Sequence, residues 1–227
     1  MAYISGPAIL DIGGNIIYFK DGLTETIDRK TDDAMDDSFG VVAKHHKSTS
    51  YKLSGTPTAM RRNIDTLYPH QKDSIGLSIF EEDIKIYTAA GKSYSYGRGG
   101  ITKSPTLNLS AGGDIFKDAM ELTCIGKADE VQTTAGHFRA LATASFPASD
   151  FDNTKIKRYR YTAAWGSSPF NAMTAQAGFE VASRYKIEEI LDDNVGIGDL
   201  ILADVEWECK FTPTQMTEAD YATLLKT

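Results

Sequence analysis

The chain has 227 residues and carries 31 acidic against 24 basic side chains, a net charge of −7. That balance argues against tight nucleic-acid binding through phosphate contacts, which needs clustered Lys and Arg. With Cys124 and Cys209 as the only cysteines, a disulfide framework is not expected. No apolar run approaches the ~20 residues of a membrane span, and Met1-Ala2-Tyr3 lacks the basic and apolar regions of a signal peptide, so no membrane insertion and retention in the cytosol are the expectation.

In chain order, Ala8 to Ile12 and Ile16 to Phe19 are β-rich runs joined by Gly13-Gly14-Asn15, a tight hairpin signal. Leu23 to Asp37 is polar and acidic and reads as a strand that ends in a loop. Phe39 to Leu53 returns to strand character and enters Gly55-Thr56-Pro57-Thr58. Pro57 suits the first turn of a helix, and Met60, Ile64 and Leu67 fall on one helical face, so a short helix is predicted there.

Ile84 to Tyr87 alternates as a half-buried strand should. Tyr94 to Gly113 is rich in Gly and Ser, with Gly97-Arg98-Gly99-Gly100, and reads as a long mobile loop or a hairpin with a loose tip. Strands are predicted over Ala119 to Ile125, Phe138 to Phe146 and Lys155 to Trp165. Phe179 to Leu191 alternates as a strand, although Ile187, Ile190 and Leu191 also fit a helix; strand is the reading adopted. Along Leu200 to Phe211, Val205, Trp207, Cys209 and Phe211 alternate with Asp204, Glu206, Glu208 and Lys210. One face of this strand is expected in the core and the other wet and mostly negative.

Thr212-Pro213-Thr214, Met216 and the Thr223-Leu224 pair repeat the pattern of Thr56-Pro57-Thr58, Met60 and Thr66-Leu67 with one extra residue. Both an old duplication and one local solution used twice account for this. A second short helix is predicted over Thr217 to Leu225. Many short strands with turn signals and no dividing linker indicate a single domain over 1–227. The fold expected is mainly β, an antiparallel sandwich or barrel with one or two short flanking helices and extended loops near 23–37 and 91–113.

Catalytic and metal signatures are weak. His45 and His46 are adjacent, so a strand would point them to opposite faces and no shared ion is expected. The run Asp32, Asp33, Asp36, Asp37 lacks the ligand spacing and central glycine of an EF-hand loop. The glycines near Arg98 form no phosphate-binding loop, and neither a Gly-x-Ser-x-Gly elbow nor a His-Glu-x-x-His helix occurs. No cofactor, no metal and no catalytic residue is assigned. A glycosidase pair among Glu180, Glu206 and Glu208 is a lesser alternative. The basic, aromatic run Lys155 to Tyr161 looks like a single-strand binding surface, but reads more simply as a charged strand that pairs with acidic neighbours such as Asp204, Glu206 and Glu208.

Taken together, Gly6 to Leu10, Gly14 to Leu23, the strand that follows, and Leu53-Ser54-Gly55-Thr56-Pro57 resemble the major tail tube proteins of long-tailed, siphovirus-like bacteriophages and prophages. The resemblance is best over residues 6 to 69 and does not cover the Gly-rich segment. It implies a non-enzymatic virion structural protein, made in the host bacterial cytoplasm and placed in the tail. Its subunits would form stacked, six-membered rings around a channel for DNA ejection. Partners would be further copies of the chain, tape-measure and tail-terminator proteins, and double-stranded DNA in passage. Asp204, Glu206 and Glu208 are candidates to line the channel. Asp32, Asp33, Asp36, Asp37, Arg98, Arg158 and Arg160 are candidates for contacts between subunits. The alternative is a β-sandwich carbohydrate-binding or other recognition module using Trp165, Tyr159 and Tyr161.

Overall fold

The computed structural model describes residues 8–60, 67–80, 84–89, 91–108, 114–125, 140–143, 164–165, 168–169, 175–192 and 196–213. The fold is mainly β and antiparallel; among the described residues the helical structure amounts to single-turn pieces such as the 3-10 turn at Lys72–Ser74.

The first sheet contains β1 (Ala8–Ile12), β2 (Asn15–Phe19), β5 (Pro57–Met60), β6 (Ile84–Thr88), β7 (Lys92–Tyr96) and β11 (Ala140–Thr143), in the order β11-β7-β6-β1-β2-β5. β1 and β2 meet at Ile12 opposite Asn15, leaving Gly13 and Gly14 as a two-residue loop. Both have positive φ, +55° and +85°, the geometry that matches the twist of a hairpin and that other residues rarely adopt.

The second sheet contains β3 (Thr24–Asp36), β4 (Gly40–Gly55), β8 (Arg98–Lys103) and β10 (Met120–Ile125), in the order β3-β4-β10-β8. These two sheets share one core. Leu10, Ile17, Ile84 and Ile86 from the first meet Tyr51, Leu53, Met120 and Leu122 from the second in a single buried cluster, the arrangement of a sandwich. Met120, Leu122 and Cys124 enter it from one face of β10, as their alternation predicts.

The core also holds polar chemistry. Glu25 is buried, and the Tyr96 hydroxyl donates to its Oε1 at 2.5 Å. Tyr96 in turn meets Tyr51 edge-on at 5.3 Å.

A third sheet, in the order β15-β14-β9, contains β9 (Leu107–Asn108), β14 (Ala175–Asp192) and β15 (Gly196–Pro213); β12 (Ala164–Trp165) and β13 (Ser168–Pro169) form a separate pair. A segment at Gly76–Ile79 straps the edge of β15: Gly76 N donates to Leu202 O, Leu202 N to Leu77 O, and Ile79 N to Leu200 O. Ile79, Ile197, Leu200, Leu202 and Val205 make a second, smaller core there.

Four expectations are corrected. Pro57–Met60 is a strand, not a helix start, because β2 offers an edge to pair with. A proline without an N–H is tolerated on such an edge. The acidic stretch does not end as a loop: β3 runs through Asp32 and Asp33 to Asp36. The Gly-rich stretch begins as β7 and β8, with Gly99 and Gly100 buried.

The core face expected along Val205, Trp207, Cys209 and Phe211 holds at Val205 and fails at Trp207 and Cys209, which are exposed; the Phe211 side chain lies outside the description. The cause is loss of cover along the strand: Val205 is the last residue of β15 in the smaller core, and Trp207 and Cys209 lie past it. Lys186 pairs with Asp204 and Ile187 with Leu202, so Ala203 is an extra residue that shifts the inward set from Leu200 and Leu202 to Val205. The helix predicted over 217–225 lies outside the described residues.

Candidate functional site

β10 pairs with β4 only from Ser50 to Gly55, yet β3 and β4 stay paired to Asp36 and Gly40. Beyond Ser50 they form a two-stranded arm of about eight residue pairs, roughly 26 Å at a strand's rise. Register shifts after Lys30 and Ala34 leave Lys47 and Val42 as extra residues, which coil the ribbon. Its turn is closed by Asp36, whose Oδ1 accepts from the N–H groups of Ser38 and Phe39 at 2.8 and 3.1 Å.

The arm's end is apolar and in water. Phe39 is 83% exposed and Met35 69%, with Val41 and Val42 beside them. Met35 and Val41 sit opposite one another, and Asp33 binds Lys44 at 3.3 Å two pairs further in. A two-stranded ribbon is marginal by itself in water, and clustered exposed apolar side chains mark contact sites.

The β14–β15 hairpin behaves similarly at its turn end, where Ile190 and Leu191 are exposed. On one of its faces Lys186 stands opposite Asp204, Arg184 opposite Glu206, and Glu180 opposite Lys210. Glu208 binds both Arg184 (3.1 Å) and Lys210 (3.2 Å), and Glu180 binds Lys117. The face is therefore close to charge-balanced rather than mostly negative. The strand hydrogen-bonded beside Asp204, Glu206 and Glu208 is β14, which supplies the expected basic partners from Lys186 and Arg184.

An open groove of about 930 Å³ lies alongside, lined by Gln71, Lys72, Arg184, Val205, Glu206, Trp207 and Glu208. Trp207 is half-exposed and its ring lies 5.9 Å from that of Tyr68.

The candidate contact residues divide. Asp32, Asp33, Asp36 and Asp37 all lie on the β3–β4 arm or its turn. Arg98 is engaged within the subunit: its Nη2 donates to Gly198 O at 3.1 Å and its guanidinium lies 5.3 Å from the Phe80 ring centre. Arg158, Arg160, Tyr159 and Tyr161 fall outside the described residues, as does the Lys155 to Tyr161 run. His45 and His46 occupy successive positions on β4, opposite Asp32 and Thr31. Among the described residues there is no group of three or more His, Cys, Asp or Glu placed to hold a metal.

The exposed apolar residues are what the charge-centred reading missed. Their signal is present in the sequence as Met35, Phe39, Val41 and Val42 set among aspartates. No protein-family model matches the chain, and no curated protein matches it.

Proposed function

We propose that this chain is a structural subunit of a phage tail tube, which joins with copies of itself into stacked, hexameric rings around a channel for DNA. The observation that carries this reading is the β3–β4 arm, which presents Met35, Phe39, Val41 and Val42 to water at the end of a ribbon that no third strand joins among the described residues. The resemblance of residues 6 to 69 supplies the class of assembly. The acidic net charge fits a conduit, because duplex DNA, with about one charge per 1.7 Å, would adhere to a basic wall. Asp204, Glu206 and Glu208 are the proposed channel residues, and the arm's aspartates the proposed contacts between subunits.

The test is a concentration series followed by light scattering and negative-stain microscopy, run on the protein and on a Phe39→Asp, Val42→Asp variant. Rings or tubes are expected from the first. The variant should stay monomeric with an unchanged melting curve, because both side chains are exposed before assembly. A protein that remains a monomer at every concentration and with tail-assembly partners added overturns the reading. Charge reversal at Glu206 and Glu208 tests the channel assignment separately: assembly should persist while DNA delivery falls.

One observation favours the second reading, a carbohydrate-binding or other recognition module. Trp207 opens onto a groove with Gln71, Arg184 and Glu206 on its walls, a combination of apolar platform and polar groups that suits a sugar ring. Glycan-array binding by the monomer, lost in Trp207→Ala, would favour it over assembly.

A further inference from the structure

The short segment Leu67 to His70 clasps the β14–β15 hairpin to the end of β8. Its Tyr68 hydroxyl donates to Pro105 O at 2.7 Å. Ser104 Oγ donates to Leu67 O at 2.5 Å, so in the 2.7 Å contact between Ser104 Oγ and the Tyr185 hydroxyl it is Tyr185 of β14 that donates. His70 is buried at the centre. Its Nε2 lies 2.8 Å from the Ile101 carbonyl of β8, which can only accept, so Nε2 carries the ring proton. The ring meets Tyr185 edge-on at 4.7 Å, and Tyr68 reaches Trp207 of β15. The imidazole therefore touches both bodies that the clasp joins.

We propose that His70 is a proton-controlled latch: neutral, it holds the β14–β15 hairpin against β8, and a second ring proton releases the hairpin at Tyr185. From β8 the ring faces the Ile101 carbonyl and from β14 the Tyr185 phenol, with Tyr68 two residues away on its own segment. Burial raises the pKa of both phenols, so they stay neutral. Nearby charges are engaged elsewhere, Lys103 with Glu121 and Arg184 with Glu208. Lys72, on the open groove beyond, carries the same sign as the added proton. No carboxylate among the described residues bears on the ring to offset that proton, and burial holds the imidazole below its ordinary range.

The sign follows from linkage. Above about pH 6.5 the latched and released states are both neutral, and the latch is at full strength. Below it the released imidazole takes up a proton that the latched one refuses, so the latched-to-released ratio falls towards tenfold per pH unit until the folded ring itself titrates. This holds for the single subunit and does not depend on the assembly reading.

Hydrogen exchange of the full chain, corrected for the intrinsic pH dependence, tests it between pH 7.5 and 5. Protection of β14 amides around Tyr185 should fall several-fold to tenfold per unit below about pH 6.5, while the β1–β2 hairpin stays unchanged. In His70→Gln, which keeps a donor and cannot titrate, β14 protection should be flat across the range. Flat protection in the natural chain, or a variant that follows the natural profile, overturns the proposal. Should the variant not fold, an NMR titration of the natural chain decides: a His70 ring that protonates while β14 keeps its protection also overturns it.

Discussion

Gly100→Ala separates the two readings of the glycine-rich stretch by sign. A Cβ on Gly100 would stand 2.9 Å from Ile79 Cγ1 and 3.0 Å from the Ile79 carbonyl carbon, with the carbonyl oxygen closer still. Ile79 cannot easily yield, because its N–H is held by Leu200 O at 2.9 Å and Leu77 and Gly76 bond the same strand. Overpacking of this kind costs about 1–3 kcal/mol. Replacing Gly by Ala also narrows the unfolded ensemble, a gain of about 0.4–1 kcal/mol where the native backbone tolerates it. The net expectation is a loss of about 1–2 kcal/mol. With a urea dependence near 3 kcal/mol per molar, the unfolding midpoint measured by circular dichroism should drop by roughly 0.5 M. In a mobile loop only the entropic gain would remain and the midpoint would rise. A midpoint that stays level or rises refutes the close approach of β8 and the Ile79 strap.

Other consequences are as direct. Tyr96→Phe removes the hydroxyl that donates to buried Glu25 and should cost about 1–3 kcal/mol in the same denaturation experiment, the range for taking one partner from a buried hydrogen bond. Of the two thiols, Cys124 is fully buried and its pKa is pushed far up by desolvation and by Glu25. Cys209 is exposed, with a smaller upward push from partial burial. A thiol reagent should therefore titrate one cysteine in the native protein, faster as pH rises and thiolate forms, and two after denaturation. Arg184→Ala breaks an exposed ion pair with Glu208 and should change stability by less than about 1 kcal/mol, an effect that shrinks further in salt.

Where a residue's partners are local, the sequence was readable. Gly13-Gly14 between two apolar runs could make little but a tight hairpin, and Met120, Leu122 and Cys124 found the core that their alternation implies. Where the deciding partner is distant, it was not. Pro57 is a good first residue for a helix, but the open edge of β2 captures it, with Lys20 N donating to Thr56 O at 3.0 Å and the Thr58 hydroxyl to Tyr18 O at 3.2 Å. Gly99 and Gly100 look like slack and are instead clearance, for Cys124 and Ile79 respectively.

The site followed the same division. Asp32, Asp33, Asp36 and Asp37 do share one projecting element, but its form as a ribbon depends on pairing with β4, which the acidic composition concealed. Along β15 the alternation places Val205, Trp207 and Cys209 on one face, but cover from distant elements decides which is buried: Val205, just past the bulge at Ala203, joins the smaller core, and Trp207 and Cys209 do not. A bulge leaves no local mark beyond the switch from Leu200 and Leu202 to Val205.

Among the described residues, sheet support for the β3–β4 ribbon ends at Ser50, and this has a kinetic meaning for any assembly built through it. Ordering each residue of a marginal ribbon costs roughly 1–2 kcal/mol of backbone entropy, which its own cross-strand pairs barely offset. Two free subunits that meet must both order their ribbons in one encounter. A subunit that arrives at an existing end meets a ribbon already held in place, and only its own must order. Growth would then proceed from ends while spontaneous starts stay rare, so the length of the polymer is set by how many starting points are supplied.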